Sequence, residues 1–259
     1  MTASDDALKR PNRFEVDLDA VARCTRRIRE VIGSQTRFFA TLKSNAYGYG
    51  LLPAARTVLK SGADALSLVT LADAVELRRA GITAPILVYA GSVPDAALVE
   101  AVEKYDVIPT LHSEESLAVF GRHATRPLKV AVKIDVGQER VGVPYGEAFD
   151  FIRRLTAMPN LQLHIVNSHP GVPTRGRIDE TLQWQYERFV ALCDRLAQAG
   201  IEVRLSATGL TLRKFHVNAE AVENIHDCLT SLRVERIDET GHKELNGCHE
   251  SILSQIIFW

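Results

Sequence analysis

The stretch ALSLVTLADAVELRRAGITAPILVYAG, residues 65–91, decides the fold. ALSLV at 65–69 has the length and composition of a buried strand, and it leads into the helical pattern TLADAVELRRAG, for which Gly81 is a natural C-terminal stop. PILVYAG at 85–91 then returns as a second strand. Near-continuous apolar strands joined by amphipathic helices imply a parallel sheet covered by helices, because each crossover must pack back over the sheet. The same unit recurs in both directions. Upstream, FEVD at 14–17 reads as a short strand, and residues 19–32 read as a helix with Asp19 as N-cap and Val21, Ile28, Val31 and Ile32 as its apolar stripe. RFFATLK at 37–43 is the next strand. Downstream come DVIPTLH at 106–112, PLKVAVKIDVG at 127–137, NLQLHIV at 160–166 and IEVRLSA at 201–207, with helical patterns at 146–157 and 178–199. The regular spacing of these seven strand candidates favours an α/β fold of the (β/α)8 TIM-like barrel type, closed only in part for want of a clear eighth strand. An open doubly wound sheet is the alternative.

The last stretch breaks the pattern. All ten prolines lie between Pro11 and Pro173, and after Arg213 no further βα unit is evident. A helix is expected near 219–232, RVERID at 233–238 is too polar for a barrel strand, and SILSQIIFW at 251–259 ends on exposed-looking apolar residues. The expected division is therefore a barrel over 1–212 and a divergent tail over 213–259.

Composition bounds the function. A chain of 259 residues with 46% apolar content can bury one large core, and a formal net charge of −1 gives no reason to expect nucleic acid or an acidic membrane as partner. A small molecule is the expected ligand. No run approaches the roughly 18 apolar residues of a membrane span, and MTASDDALKR lacks the apolar core of a signal peptide, so a cytoplasmic location is expected. Cys24, Cys193, Cys228 and Cys248 are far apart and show no C-x-x-C spacing, so neither a zinc site nor a disulfide framework is indicated.

TLKSNAYGYG at 41–50 raises a chemical question, since it ends a buried strand with an ammonium group followed by two closely spaced glycines. Strand C-termini face the mouth of a barrel, where active sites of this architecture sit, so Lys43 would project into the cavity. Alternatively, Lys43 snorkels to solvent and the glycines merely turn the chain. Three further islands stand at strand ends: KIDVGQERVG at 133–142, IVNSHPG at 165–171 and LSATGLT at 205–211. Taken singly, Arg140 can be a solvated loop charge, His169 a hydrogen-bonded structural residue and Thr208 a helix cap.

Together, in this order, the four islands resemble the alanine racemase family, fold-type III enzymes that use pyridoxal 5'-phosphate. The resemblance runs from about residue 12 to 212. It implies that Lys43 carries the cofactor as a Schiff base, that Tyr47 and Thr208 hydrogen-bond the phosphate, that Arg140 meets the phenolic oxygen and the substrate carboxylate, and that His169 lies close to the pyridine ring. Schiff-base chemistry needs an amine that can be neutral, which burial favours. Lys133 matches a lysine that some members carbamylate. This sequence departs from the family pattern at Tyr49, Val136 and Gln138, and it contains no Arg-Pro-Gly segment. The resemblance further implies an isomerase interconverting L- and D-alanine in D-amino acid metabolism, with an amino acid as substrate and a homodimer as the family's assembly. Because the family's C-terminal β-domain, which supplies a second catalytic base, has no counterpart here, weak or absent racemisation is expected. A non-catalytic carrier, comparable to the single-barrel pyridoxal phosphate homeostasis proteins, is the alternative.

Overall fold

The computed structural model describes residues 13–89, 93–171, 178–209, 234–237, 243–246 and 257–258. In chain order the elements are β1 (Arg13–Glu15), α1 (Leu18–Ile32), β2 (Phe39–Thr41), α2 (Lys43–Tyr47), α3 (Leu51–Lys60), β3 (Ala65–Leu68), α4 (Leu71–Arg79), β4 (Ile86–Val88), α5 (Ala96–Tyr105), β5 (Ile108–Leu111) and α6 (Glu114–His123). They continue with β6 (Leu128–Asp135), β7 (Val143–Pro144), α7 (Tyr145–Thr156), β8 (Leu161–Ser168), α8 (Ile178–Gln198), β9 (Leu205–Gly209), β10 (Val234–Ile237), β11 (Lys243–Asn246) and β12 (Ile257–Phe258).

Parallel pairing runs from β2 through β3, β4, β5, β6 and β8 to β9, which are the seven strands expected from the sequence. The eighth position is held by β12. It lies antiparallel to both neighbours, with Ile257 opposite Phe39 on one side and opposite Gly209 on the other, so the ring of strands closes. The polar RVERID segment is not a barrel strand. Its residues Val234–Ile237 form β10, which pairs with β1 and β11 in a separate antiparallel sheet. The helix expected near 219–232 lies outside the described residues, as do Cys228 and Cys248.

Two side-chain layers follow from the period-2 alternation of the strands. Outward positions such as Leu66, Leu68, Val130, Val132 and Ile134 pack under the helices with Leu77, Phe151, Ile152 and Leu155, all buried. Each such side chain contributes about 1.5–3 kcal/mol by leaving water. Inward positions Phe39, Ala65, Leu87, Ile108, Ala131 and Ile165 fill the floor of the barrel. The cap of α1 is Asp17 and not Asp19: Asp17 is extended and its carboxylate accepts from Ala20 N at 3.0 Å, while Asp19 sits in the first turn, where a negative charge meets the helix dipole. β9 starts at Leu205, four residues later than the sequence pattern indicates. Among the described residues Cys24 and Cys193 form no disulfide, no three His, Cys, Asp or Glu side chains form a metal-binding group, and no helix is long and apolar enough to cross a membrane.

Candidate active site

Moving two residues up each inward face from the apolar floor, the side chains become polar: Thr41, Ser67, Tyr89, Thr110, Lys133 and Asn167. Parallel register brings Lys133 of β6 level with Asn167 of β8, and Ala207 of β9 follows. Above them, at the C-terminal ends of β2, β6 and β8, stand Lys43, Arg140 and His169, in the region where barrel active sites form. The sequence reading had singled out Lys133 from this ring but not Tyr89 or Asn167. Each of these polar residues stands two positions after an apolar floor residue of its strand.

Lys43 opens a segment of reversed hand. Ser44, Asn45 and Ala46 have φ/ψ near (55°, 50°), and Tyr47 has φ 56°. Left-handed helical backbone costs L-residues roughly 1–2 kcal/mol each, so a full turn of it persists only where surrounding contacts hold it. Two such contacts are evident: Ala46 is buried, and the Asn45 carboxamide oxygen accepts from Leu51 N at 2.8 Å, which ties the turn to the start of α3. The reversed turn folds Tyr47 back over the lysine, placing Lys43 Nζ 5.7 Å from the Tyr47 ring centroid. The Tyr47 hydroxyl is buried and has no hydrogen-bond partner among the described residues, and burial raises its pKa. A neutral donor aimed at no protein acceptor is what an anionic ligand would engage.

The loop carrying Arg140 is shaped by one carboxylate. Asp135 Oδ1 accepts from Gly137 N and Gln138 N at 2.9 Å and from Glu139 N at 3.2 Å, turning the chain as it leaves β6. Electrostatics then report which groups share one space. The Lys43 amine is held below the ordinary lysine value by burial and then by the Arg140 charge. Lys133 is lowered by burial, Arg140 and Lys43, against an opposing pull from Asp135. Burial followed by Lys133, Arg140 and Lys43 brings the His169 imidazole down to about 4, so it is neutral at pH 7. Four of the residues expected from the sequence are thus gathered at one mouth. Thr208 lies on β9 beside Ser168, and its side chain is outside the described residues. Three cations with one carboxylate already engaged by backbone amides make a site that attracts anions. A lysine with a depressed pKa, an unpartnered buried tyrosine hydroxyl and surrounding positive charge fit a phosphorylated aldehyde such as pyridoxal phosphate.

Comparison with known proteins gives the family. The family profile described as "Alanine racemase, N-terminal domain" matches residues 16–223. Among curated relatives, the alanine racemase of Synechocystis sp. is 34% identical over 192 residues, covering 73% of this chain and 51% of that protein. That of Halothermothrix orenii is 29% identical over 216 residues, covering 80% of this chain and 56% of that protein. Among solved structures, the alanine racemase from Bacillus anthracis with bound L-Ala-P superposes with a TM-score of 0.72 at 31% identity, covering 81% of this chain and 55% of that one. The chain spans about half the length of the curated relatives it matches.

Proposed function

The chain belongs to the alanine racemase family, matching its N-terminal domain, and from that membership we propose that it binds pyridoxal 5'-phosphate at the barrel mouth and acts on alanine as a racemase-like isomerase in which Lys43 serves one face of the α-carbon, with racemisation itself weak. The observation that carries this reading is the pairing of Lys43, whose amine burial makes easier to deprotonate, with the buried Tyr47 hydroxyl on the turn that follows it, which has no hydrogen-bond partner among the described residues. Pyridoxal phosphate, when bound, supplies an electron sink that stabilises negative charge at an amino acid's α-carbon. Lys43 Nζ would hold the cofactor's aldehyde carbon and, once displaced by an amino acid, take or return the α-proton on its own face. The Tyr47 and Thr208 hydroxyls would donate to the phosphate. Arg140, with its planar fork, would face the phenolic oxygen and the substrate carboxylate. His169, neutral, would sit beside the ring and add no further positive charge.

Racemisation needs a proton removed on one face and delivered on the other, so the two half-events can be measured separately. Alanine incubated with the cofactor-loaded chain in D2O should gain deuterium at the α-carbon, with the opposite enantiomer counted in parallel by chiral chromatography. Lys43→Ala should abolish the exchange. Cofactor-loaded protein that leaves the α-hydrogen of both alanine enantiomers untouched would overturn the reading.

A further inference from the structure

We infer that Gln185 of α8 is a positioning residue for the active site, holding the His169–Gly171 segment through a two-point clamp on the Gly171 backbone. For its catalytic meaning the inference rests on the function proposed above. Gln185 is fully buried, at 0% exposure, on a helix whose inward stripe is otherwise apolar. Its carboxamide oxygen accepts from Gly171 N at 2.8 Å and its amide nitrogen donates to Gly171 O at 3.0 Å, reproducing with a side chain the paired bonds of a β ladder. On the other side of His169, the Ser168 hydroxyl donates to Ile134 O at 2.9 Å and locks the end of β8 to β6. Pro170, next to His169 on the Gly171 side, is buried and fixed in φ. The imidazole is therefore bracketed, with a bond to β6 on one side and the Gln185 clamp two residues away on the other.

The same turn of α8 reaches the Arg140 loop. A Cβ on Gly137 would lie 2.5 Å from the Trp184 ring, and one on Gly171 would meet the movable end of the Gln138 side chain, so the two loops and the helix are in close contact and Gly137 leaves no room for a side chain. Arg188, one turn further, stacks between Trp184 and Tyr145, 4.4 and 4.2 Å from their ring centroids, and fixes α8 to α7. With no amide at position 185, Gly171 would lose both partners, and His169 would be free to leave the cleft where Lys43 of α2, Lys133 of β6 and Arg140 of the following loop face it.

A titration of the cofactor-free chain tests this. With imidazole resonances assigned by comparison with His169→Gln, the parent's His169 should remain neutral down to about pH 4. In Gln185→Leu its midpoint should rise toward the unperturbed 6.5, because a released ring regains water and distance from the three cations. Should the leucine variant fail to fold, Gln185→Met serves in its place: it keeps an unbranched chain of similar length with neither donor nor acceptor for Gly171 and no new charge, and a shift in the same direction is expected. A folded variant that melts at lower temperature while His169 titrates as in the parent would show a purely structural role and overturn the inference. No cofactor enters the measurement, so that outcome is distinct from a failure of cofactor binding at Lys43, which would sink the functional reading and leave the titration as it is.

Discussion

At the scale of residues, the site depends on side chains that do work the backbone resists. Asn45 holds a left-handed conformation that asparagine tolerates better than most residues, and its carboxamide oxygen also accepts from the Leu51 amide at the start of α3. Replacing it with alanine leaves that amide without its acceptor and keeps the strain, so Asn45→Ala should lower stability by about 1–2 kcal/mol in urea unfolding. His169 makes a second prediction. Its folded pKa of about 4 lies below the unfolded value of 6.5, so between these limits the unfolded chain binds more protons and acid favours unfolding. The folded state should keep its full stability above pH 6.5 and lose about 3 kcal/mol as the pH falls to 4, an upper figure for a group that retains some solvent contact. His169→Gln should flatten that slope, which unfolding at pH 7 and 4.5 would reveal. Lys43, Arg140 and His169 were legible in the sequence because the islands that carry them follow one another in the family's order, near the ends of strands; only Lys43 itself ends an apolar run. Gln185 was not, since one polar residue in a helical pattern carries no mark of which backbone it will meet.

Elements are joined here by a few cationic pins as well as by the apolar layers. The Arg78 guanidinium donates to the carbonyls of Ile82 and Ala84 at 2.7 Å, of Tyr105 at 2.9 Å and of Asp106 at 3.0 Å, joining the end of α4 to the approach to β4 and the end of α5. Arg29 plays the same part between α1 and the turn before β3, through the Gly62 carbonyl at 2.9 Å and the Asp64 carboxylate. Arg78→Ala should cost about 2–4 kcal/mol, because four helix-end and loop carbonyls lose a charged donor at once; a thermal melt beside Arg79→Ala, whose guanidinium makes a single exposed bond to the Tyr105 hydroxyl, would isolate the effect. Helix and strand identities could be read from periodicity, while their limits depended on local competition. Asp17 outcompeted Asp19 as cap because it precedes the first helical turn. The hand of the turn after Lys43 was beyond any pattern of polarity, because handedness lies in φ and is set by what Ala46 and Asn45 contact.

For the molecule as a whole, seven parallel strands and their helices were legible because each unit repeats the same order of apolar run, turn and amphipathic helix. Ring closure was not. β12 contributes two residues in the opposite direction, a pairing fixed by contacts distant in sequence that local pattern does not encode. The barrel gives the account its central claim, that one inward-facing amine at the end of β2 carries the cofactor. Reduction of the pyridoxal phosphate-treated protein with borohydride, followed by peptide mass mapping, measures this directly. The cofactor's mass should appear on the peptide containing Lys43 and vanish in Lys43→Ala. Its appearance on Lys133 or a surface lysine instead, or on no peptide at all, would contradict the account.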